Sequence, residues 1–428
     1  MISIQFEKLF GRFNYDVVLN KEGLTILTGP NGYGKSTILK SIEAIGNGLA
    51  GLDYFGSLDF KNVSIFFEKE KKVLIEKKEG KIIINGEMID WNACQQQLAR
   101  NMGNSQYFAR LDEDTWLDRR RRITYSHDEY VKMFLLDQLD EGRIGNQILL
   151  SDKIVELLSS MKKMLGEVYF IREQRLIREN RNRRFEQENV NIIEELPKRF
   201  QRLIGEVQQD YSAKSNELDS SYPYRLFGNY ETITEDEYKE KMEKMKEKFA
   251  IMRKYDLSTT QITGNLVFKR EHAKALKIYF DDFDAKYGVY EDFIYRLELY
   301  TDIINNRLLF KKIKISPKRG IEIIDDNGKE IQLKQLSSGE KQEIVLFYEL
   351  IFGTPKNVLL MIDEPEISLH IIWQKKFMDD LLRIINYKNI DVIVATHSPQ
   401  IINNHWERQI DLGDLYGKQL NKMQSDEK

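Results

Sequence analysis

The stretch GPNGYGKST, Gly29 to Thr37, decides the reading of this chain. It follows the apolar run LTILT, Leu24 to Thr28, and opens KSTILKSIEAI, which has helical character. A strand, a glycine-rich turn and a helix fit the pattern G-x-x-x-x-G-K-[ST]. The glycines let backbone N–H groups turn inward around phosphate oxygens. The helix adds the positive end of its dipole. Asn31, Gly32, Tyr33, Gly34, Lys35, Ser36 and Thr37 are thus the expected nucleotide cradle. Lys35 would reach the β- and γ-phosphates as a catalytic group, and Ser36 would ligate Mg²⁺. The expected cofactors are ATP and Mg²⁺.

Such a site needs carboxylates, and VLLMIDEPE supplies them. Asp363 ends an apolar run, where a Mg²⁺-ordering carboxylate belongs. Glu364 follows and would polarise the attacking water. VIVATHSPQ places His397 at the end of another apolar run, where open α/β sheets bind ligands. His397 could contact the γ-phosphate or orient the water. In GEVYFIREQRL, Gln174 follows the short run VYFI and could bridge Mg²⁺ and the water; Arg172 and Arg175 are alternatives. A second anion-binding turn, QLSSGEKQE from Gln335 to Glu343, lies far downstream.

The 428 residues suggest about two or three structural units. Lys+Arg of 65 against Asp+Glu of 68 is nearly balanced, so nucleic acid would have to meet a local basic patch. Cys94 is the only cysteine, which excludes an internal disulfide and a Cys-x-x-Cys metal clip. The N-terminus lacks the pattern of a signal peptide, and no apolar run reaches the ~20 residues needed to span a bilayer. A cytoplasmic protein with no membrane partner is expected.

The expected fold class is α/β, with a helical arm inserted into a head. Residues 1–180 form the first part of the head, with a small insertion at about 91–165. VSIFFE, KVLIEKK and KIIING read as strands. The arm is 181–310. Tyr238, Met242, Met245, Phe249 and Met252 recur at spacings of four and three, as do Leu276, Phe280, Phe283, Tyr287, Tyr290, Ile294 and Leu297. That is the period of a coiled-coil seam; ordinary helical-bundle packing is the plainer alternative. A further helix is expected over about 191–211, with Pro197 near its start. Residues 311–428 complete the head, and the polar tail KQLNKMQSDEK is expected to fray. TWLDRRRR and IREQRLIRENRNRR are arginine-dense and suit either phosphate, an acidic partner or a solvated surface.

Taken together and in this order, GPNGYGKST, LSSGEKQ, LLMIDEPEISLH and ATHS resemble the motifs of ABC-type ATPases, most of all the SMC/RecF/OLD branch. The resemblance covers the two ends of the chain. It implies an ABC ATPase head, a mixed sheet flanked by helices, that dimerises head-to-head around ATP. Ser337, Ser338, Gly339 and Glu340 would then act in trans on the nucleotide held by the other subunit. Gln174 would be the Q-loop glutamine and a metal ligand with Ser36 and Asp363. Glu364 and His397 would be the catalytic base and the switch histidine. Ser368, Leu369 and His370 would lie in the D-loop, where Ile371 replaces the proline usual in the branch.

GPNGYGKST, VYFIREQRL and YSAKSNELDSSYPYRL are further similar to ATPase subunits of bacterial anti-phage systems, Septu-type first and PARIS-type next. This implies a slow regulatory ATPase in antiviral defence, as a homodimer or an assembly of dimers. A separately encoded nuclease would be the effector, and a nucleic acid or phage protein a further candidate partner. The five scattered histidines give no His-Asn-His nuclease cluster of its own. The competing reading is a RecF-like DNA-binding ATPase of repair or replication.

Overall fold

The structure is a computed structural model that describes residues 1, 3–67, 71–91, 93–94, 108–111, 115–119, 123–126, 152–173, 177–181, 187–228, 230–260, 267–367 and 369–426. In chain order the strands are β1 (Ser3–Leu9), β2 (Phe13–Val18), β3 (Leu24–Thr28), β4 (Asn62–Phe66), β5 (Lys72–Lys78), β6 (Lys81–Ile84), β7 (Glu87–Ile89), β8 (Phe108–Arg110), β9 (Thr115–Asp118) and β10 (Ile123–Ser126). There follow β11 (Val168–Ile171), β12 (Ile177–Arg181), β13 (Gln187–Asn191), β14 (Lys311–Ser316), β15 (Gly320–Asp325), β16 (Glu330–Ile331), β17 (Leu359–Asp363), β18 (Asp391–Ala395) and β19 (Gln409–Asp411). The chain divides into two compact units, 1–189 with 353–428, and 190–352. Among the described residues no helix is long and apolar enough to cross a membrane.

In the first unit, a five-stranded parallel sheet runs β11-β17-β18-β3-β19. Every residue of β3 and β17 is buried, as is all of β18 after Asp391. Continuous apolar runs of this kind suit strands covered on both faces. An antiparallel sheet, β2-β1-β4-β5-β6-β7, packs into the same core. Its strands β4, β5 and β6 are the expected VSIFFE, KVLIEKK and KIIING. Between the sheets lies the helix Lys35–Gly46, which buries Ile38, Leu39, Ile42 and Ile45 at helical spacing.

The register fixes where the chemistry sits. Asp363 pairs with Ala395, Ala395 with Leu27, and Thr28 with Asp411. The carboxyl ends of four neighbouring strands therefore form one edge. The C-terminal tail does not fray within the described residues. It continues as the helix Leu412–Asp426, whose Gln419 side chain accepts from the Asn14 N–H at 2.9 Å and donates to the Arg12 carbonyl at 3.2 Å. Tyr416 stacks edge-on to Phe13 at 4.9 Å. Tail polarity hid these contacts because only a few of its residues carry them.

In the second unit, the helices Ile192–Phe227 and Ala273–Asn305 pack along each other. The first runs well past residue 211, held by Tyr211 on Tyr290 at 4.7 Å, Asp219 with Lys286 at 2.8 Å, and Arg225 with Asp282. The helix Glu235–Lys254 buries Tyr238, Met242, Met245, Phe249 and Met252, the seam read from spacing. Thr234 caps it with a capping box through Glu237. The partner helix buries Phe280, Tyr287, Tyr290, Ile294 and Leu297, while Leu276 and Phe283 stay half-buried. It also buries Phe293, Tyr300 and Ile304, so toward its end it is enclosed on several sides as in a bundle.

Pro197 is the sixth residue of its helix, beyond the position where a missing N–H costs nothing. The antiparallel sheet β14-β15-β16 meets the helix here. Gly320 has φ +69°, and a Cβ on it would lie 2.0 Å from the Pro197 carbonyl oxygen. Gly328 has φ +80° with nothing within 4 Å of such a Cβ. Gly320→Ala should therefore lower unfolding free energy by about 2–4 kcal/mol, strain plus clash, and Gly328→Ala by about 1 kcal/mol from strain alone. Urea denaturation of both variants measures the difference; equal losses would show that the close approach carries no weight.

Candidate nucleotide-binding and hydrolysis site

Strand β3 delivers the chain to Gly29 at φ +138°, and Gly32 and Gly34 follow at +84° and +90°. L side chains rarely take such angles, and a Cβ at Gly29 would sit 3.2 Å from Leu412. The helix that starts after Gly34 has no side-chain cap. Its first amides are left to an anion. Lys35 is buried, and its Nζ donates to the Gly29 carbonyl at 2.8 Å and the Pro30 carbonyl at 3.4 Å. The ammonium thus spans the loop. Tyr33 is braced by Phe13 at 5.2 Å and Tyr416 at 6.0 Å. Asp411 braces the base of the loop, accepting from the Thr28 hydroxyl at 2.8 Å and the Gly413 N–H at 2.7 Å.

Asp363 ends β17, is buried, and is hydrogen-bonded by the Ser36 side chain. Burial raises its carboxyl above the ordinary range. The Glu364 and Glu173 charges push the same way, against the Ser36 hydrogen bond and Lys40. A cation beside it would relieve that cost. Among the described residues no three acidic, histidine or cysteine side chains converge into a metal cage. Ser36 and Asp363 would therefore hold Mg²⁺ together with phosphate oxygens and water, its usual manner. Gln174, expected as the third holder, lies outside the described residues, as does Arg175. Arg172 meets both carboxylate oxygens of Glu43 at 3.0 Å, which ties the end of β11 to the P-loop helix.

Glu364 sits at φ +44°, a left-handed conformation that costs a non-glycine residue about 1–3 kcal/mol. Its N–H donates to the Ala395 carbonyl at 2.9 Å, which holds it there. His397 Nδ1 lies 3.6 Å from the Glu364 carboxylate. The same nitrogen lies 3.2 Å from Glu366. Sequence reasoning missed Glu366, although it stands two residues beyond Glu364 in DEPE. One buried oxygen of Glu366 accepts from the Thr396 hydroxyl at 2.6 Å, the His397 N–H at 2.9 Å and the Ser398 N–H at 3.2 Å. Glu366 thus fixes the loop that presents His397.

Ser368 lies outside the described residues. Leu369 is buried, and His370 caps the helix Ile371–Lys388 by accepting from the Ile372 N–H at 3.4 Å. Gln374 on that helix donates to the Leu369 carbonyl at 3.0 Å and accepts from the Ser398 hydroxyl at 2.7 Å. The expected D-loop is therefore bonded to the histidine loop.

In the second unit, Ser337 caps the helix Ser338–Tyr348. The Glu340 N–H donates to Ser337 Oγ at 3.3 Å, and the Ser337 N–H to Glu340 Oε2 at 2.9 Å. Lys311 donates to Glu340 Oε1 at 2.8 Å. Burial pushes the Glu340 carboxyl up, but Lys311 and Ser337 outweigh it and hold it low. The box engages the amides of Ser337 and Glu340, not those of Ser338 and Gly339. Ser337 and Ser338 are exposed.

A glycine cradle, a buried lysine across it, a hydroxyl–carboxylate pair and a strained glutamate beside a histidine define a P-loop ATPase. The family model for the AAA ATPase domain matches residues 8–402, and the chain belongs to that family. No curated protein matches it in sequence. Among solved structures it is similar to the Pyrococcus furiosus Smc head domain with an extended coiled coil bound to the C-terminal domain of ScpA. There the identity is 14%, over 94% of this chain and 91% of that one, at TM-score 0.36. The SMC head domain of Thermotoga maritima matches at 13% identity, over 94% and 90%, at TM-score 0.32. Scores this low leave the fold to the strand order itself.

Protonated Asp363 cannot hold a cation. Its folded pKa lies above the unfolded value of 3.8, so as pH falls it takes up a proton while the unfolded chain is still ionised. Acid should then remove Mg²⁺-dependent nucleotide binding at a higher pH than an ordinary aspartate would allow, without loss of fold from this group. Fluorescent-nucleotide titrations against pH check this, and Asp363→Asn should abolish the step. Glu366→Ala strands buried donors and should cost about 2 kcal/mol or more in thermal unfolding, with turnover falling further than nucleotide affinity.

Proposed function

We propose that this chain is a regulatory ATPase whose heads pair around ATP and whose nucleotide state controls a separately encoded effector, a nuclease, in anti-phage defence. The observation that carries the hydrolytic part is Glu364, held at φ +44° next to His397 and directly after a carboxylate bonded to Ser36. Lys35 and the P-loop amides bind and orient the phosphates. Bound Mg²⁺ would supply charge neutralisation at the phosphates. Glu364 takes the proton of the attacking water, and His397 sits within reach of both Glu364 and Glu366.

The pairing part is supported by the second turn. Ser337 and Ser338 stand exposed at the start of a helix, with the amides of Ser338 and Gly339 outside the capping box. Such a turn suits the γ-phosphate held by another copy. Assembly of dimers, the nuclease and the defence role rest on the resemblance of GPNGYGKST, VYFIREQRL and YSAKSNELDSSYPYRL alone.

Glu364→Gln should abolish phosphate release and accumulate an ATP-bound dimer by light scattering. Lys35→Ala should weaken nucleotide binding about tenfold or more. Ser337→Arg should block dimer closure and leave single-head nucleotide binding nearly intact. If Ser337→Arg left hydrolysis and ATP-induced dimerisation untouched, the trans contact would be wrong. Turnover should be slow. Copurification from the native host should recover a second protein with nuclease chemistry. Tight, salt-sensitive DNA binding that requires ATP would instead favour the RecF-like reading.

A further inference from the structure

The P-loop turns on three glycines at positive φ, and nothing stands within 4 Å of a Cβ placed on Gly32. Such a loop loses conformational freedom when it closes on a phosphate, and that loss weakens binding unless the loop is already held. In this chain the hold comes from the far end of the sequence. Asp411 stands just before the helix Leu412–Asp426 and serves two elements at once. Its Oδ1 accepts from the Gly413 N–H at 2.7 Å and the Asp414 N–H at 3.1 Å, which caps the helix. Its Oδ2 accepts at 2.8 Å from the hydroxyl of Thr28, the residue that precedes the loop.

The helix then starts against the loop backbone. A Cβ on Gly29 would lie 3.2 Å from Leu412, and one on Gly413 would lie 3.4 Å from the Pro30 ring. One turn on, Tyr416 meets Tyr33 edge-on at 6.0 Å and Phe13 at 4.9 Å. The helix and its cap therefore lie against Thr28, Gly29, Pro30 and Tyr33. The docking is light. Over 412–421 Leu412 alone is buried, and Gly413 and Gly417 weaken the helix itself. A helix that buries little apolar surface belongs to the parts of a fold that open first.

We propose that Asp411 and Tyr416 are positioning residues of the nucleotide site. Through Thr28 and Tyr33 they hold the P-loop in its anion-binding shape, so docking of the C-terminal helix and binding of nucleotide strengthen each other. Linkage makes this reciprocal: nucleotide favours the docked helix by the factor by which the docked helix favours nucleotide. A partner that lifted the helix would release nucleotide without meeting any residue that holds phosphate. Glu364 and His397 are fixed by Ala395 and Glu366 instead, so the effect falls on affinity and not on the chemical step. The inference rests on nucleotide binding at the P-loop and is independent of head pairing.

The test uses the full chain with Mg²⁺, follows hydrolysis against ATP concentration, and reads affinity from a fluorescent ATP analogue. Tyr416→Ala should raise KM and the dissociation constant about fivefold or more with kcat kept. Tyr416→Phe should restore both, since the ring carries the contact. Ile82→Ala, a core truncation on β6, should lower the unfolding temperature at least as much and leave KM unchanged. Hydrogen exchange on the unsubstituted chain depends on no variant: saturating ADP should slow the helix amides from Tyr416 to Leu420 more than those of β6. Unchanged affinity in Tyr416→Ala, an equal rise in KM in Ile82→Ala, or helix exchange that follows β6 each overturns the inference while nucleotide binding stands. A chain that binds no nucleotide overturns the site itself, and this inference with it.

Discussion

The hydrolytic site depends on one ladder. Ile362 pairs with Val394, Val394 with Ile26, and Ile26 with Gln409. From that register Asp363, the Thr396 loop, Gly29 and Asp411 follow along one edge of the sheet. A slip by one residue would turn each strand's side chains to the other face. β3 and β17 are buried on both faces, so a slip would exchange closely packed side chains of different size between two cores, which tight packing does not tolerate. The chemistry is therefore held by apolar packing beneath it, and the polar residues only finish what the sheet positions.

The two anion-binding turns differ in how they treat the same backbone problem. Every helix start leaves amides unpaired. After Gly34 nothing in the side chains takes them up, and a glycine backbone bends around the space. After Ser337 a hydroxyl and the Glu340 carboxylate take two of them, and Lys311 balances the carboxylate. The first turn is open to a phosphate and strongly donating. The second is rigid, already neutralised, and presents a hydroxyl with two remaining amides.

Electrostatic cost is concentrated at the carboxylates. Burial keeps the Asp363 carboxyl raised, and the Glu364 and Glu173 charges add to it against Ser36 and Lys40. Glu366 is buried too, but three donors meet one of its oxygens. The contrast assigns the roles. The carboxylate that burial keeps raised beside Ser36 is the one a cation would complete, and the one that meets three donors through a single oxygen braces the His397 loop.

The sequence by itself determined the strand–loop–helix of the P-loop, the Asp363–Glu364 ending of β17, the place of His397, and the seam of Tyr238, Met242, Met245, Phe249 and Met252. Each is local: a turn pattern, an apolar run or a helical period states it within about twenty residues. Tertiary structure alone decided the role of Glu366, the Lys311–Glu340 bond, the reason Gly320 must lack a side chain, and the docking of the C-terminal helix through Tyr416 and Gln419. Those depend on residues far apart in the chain meeting across strands and helices. No spacing rule encodes such meetings, because the partner of a buried polar atom is set by the packing that brings it near.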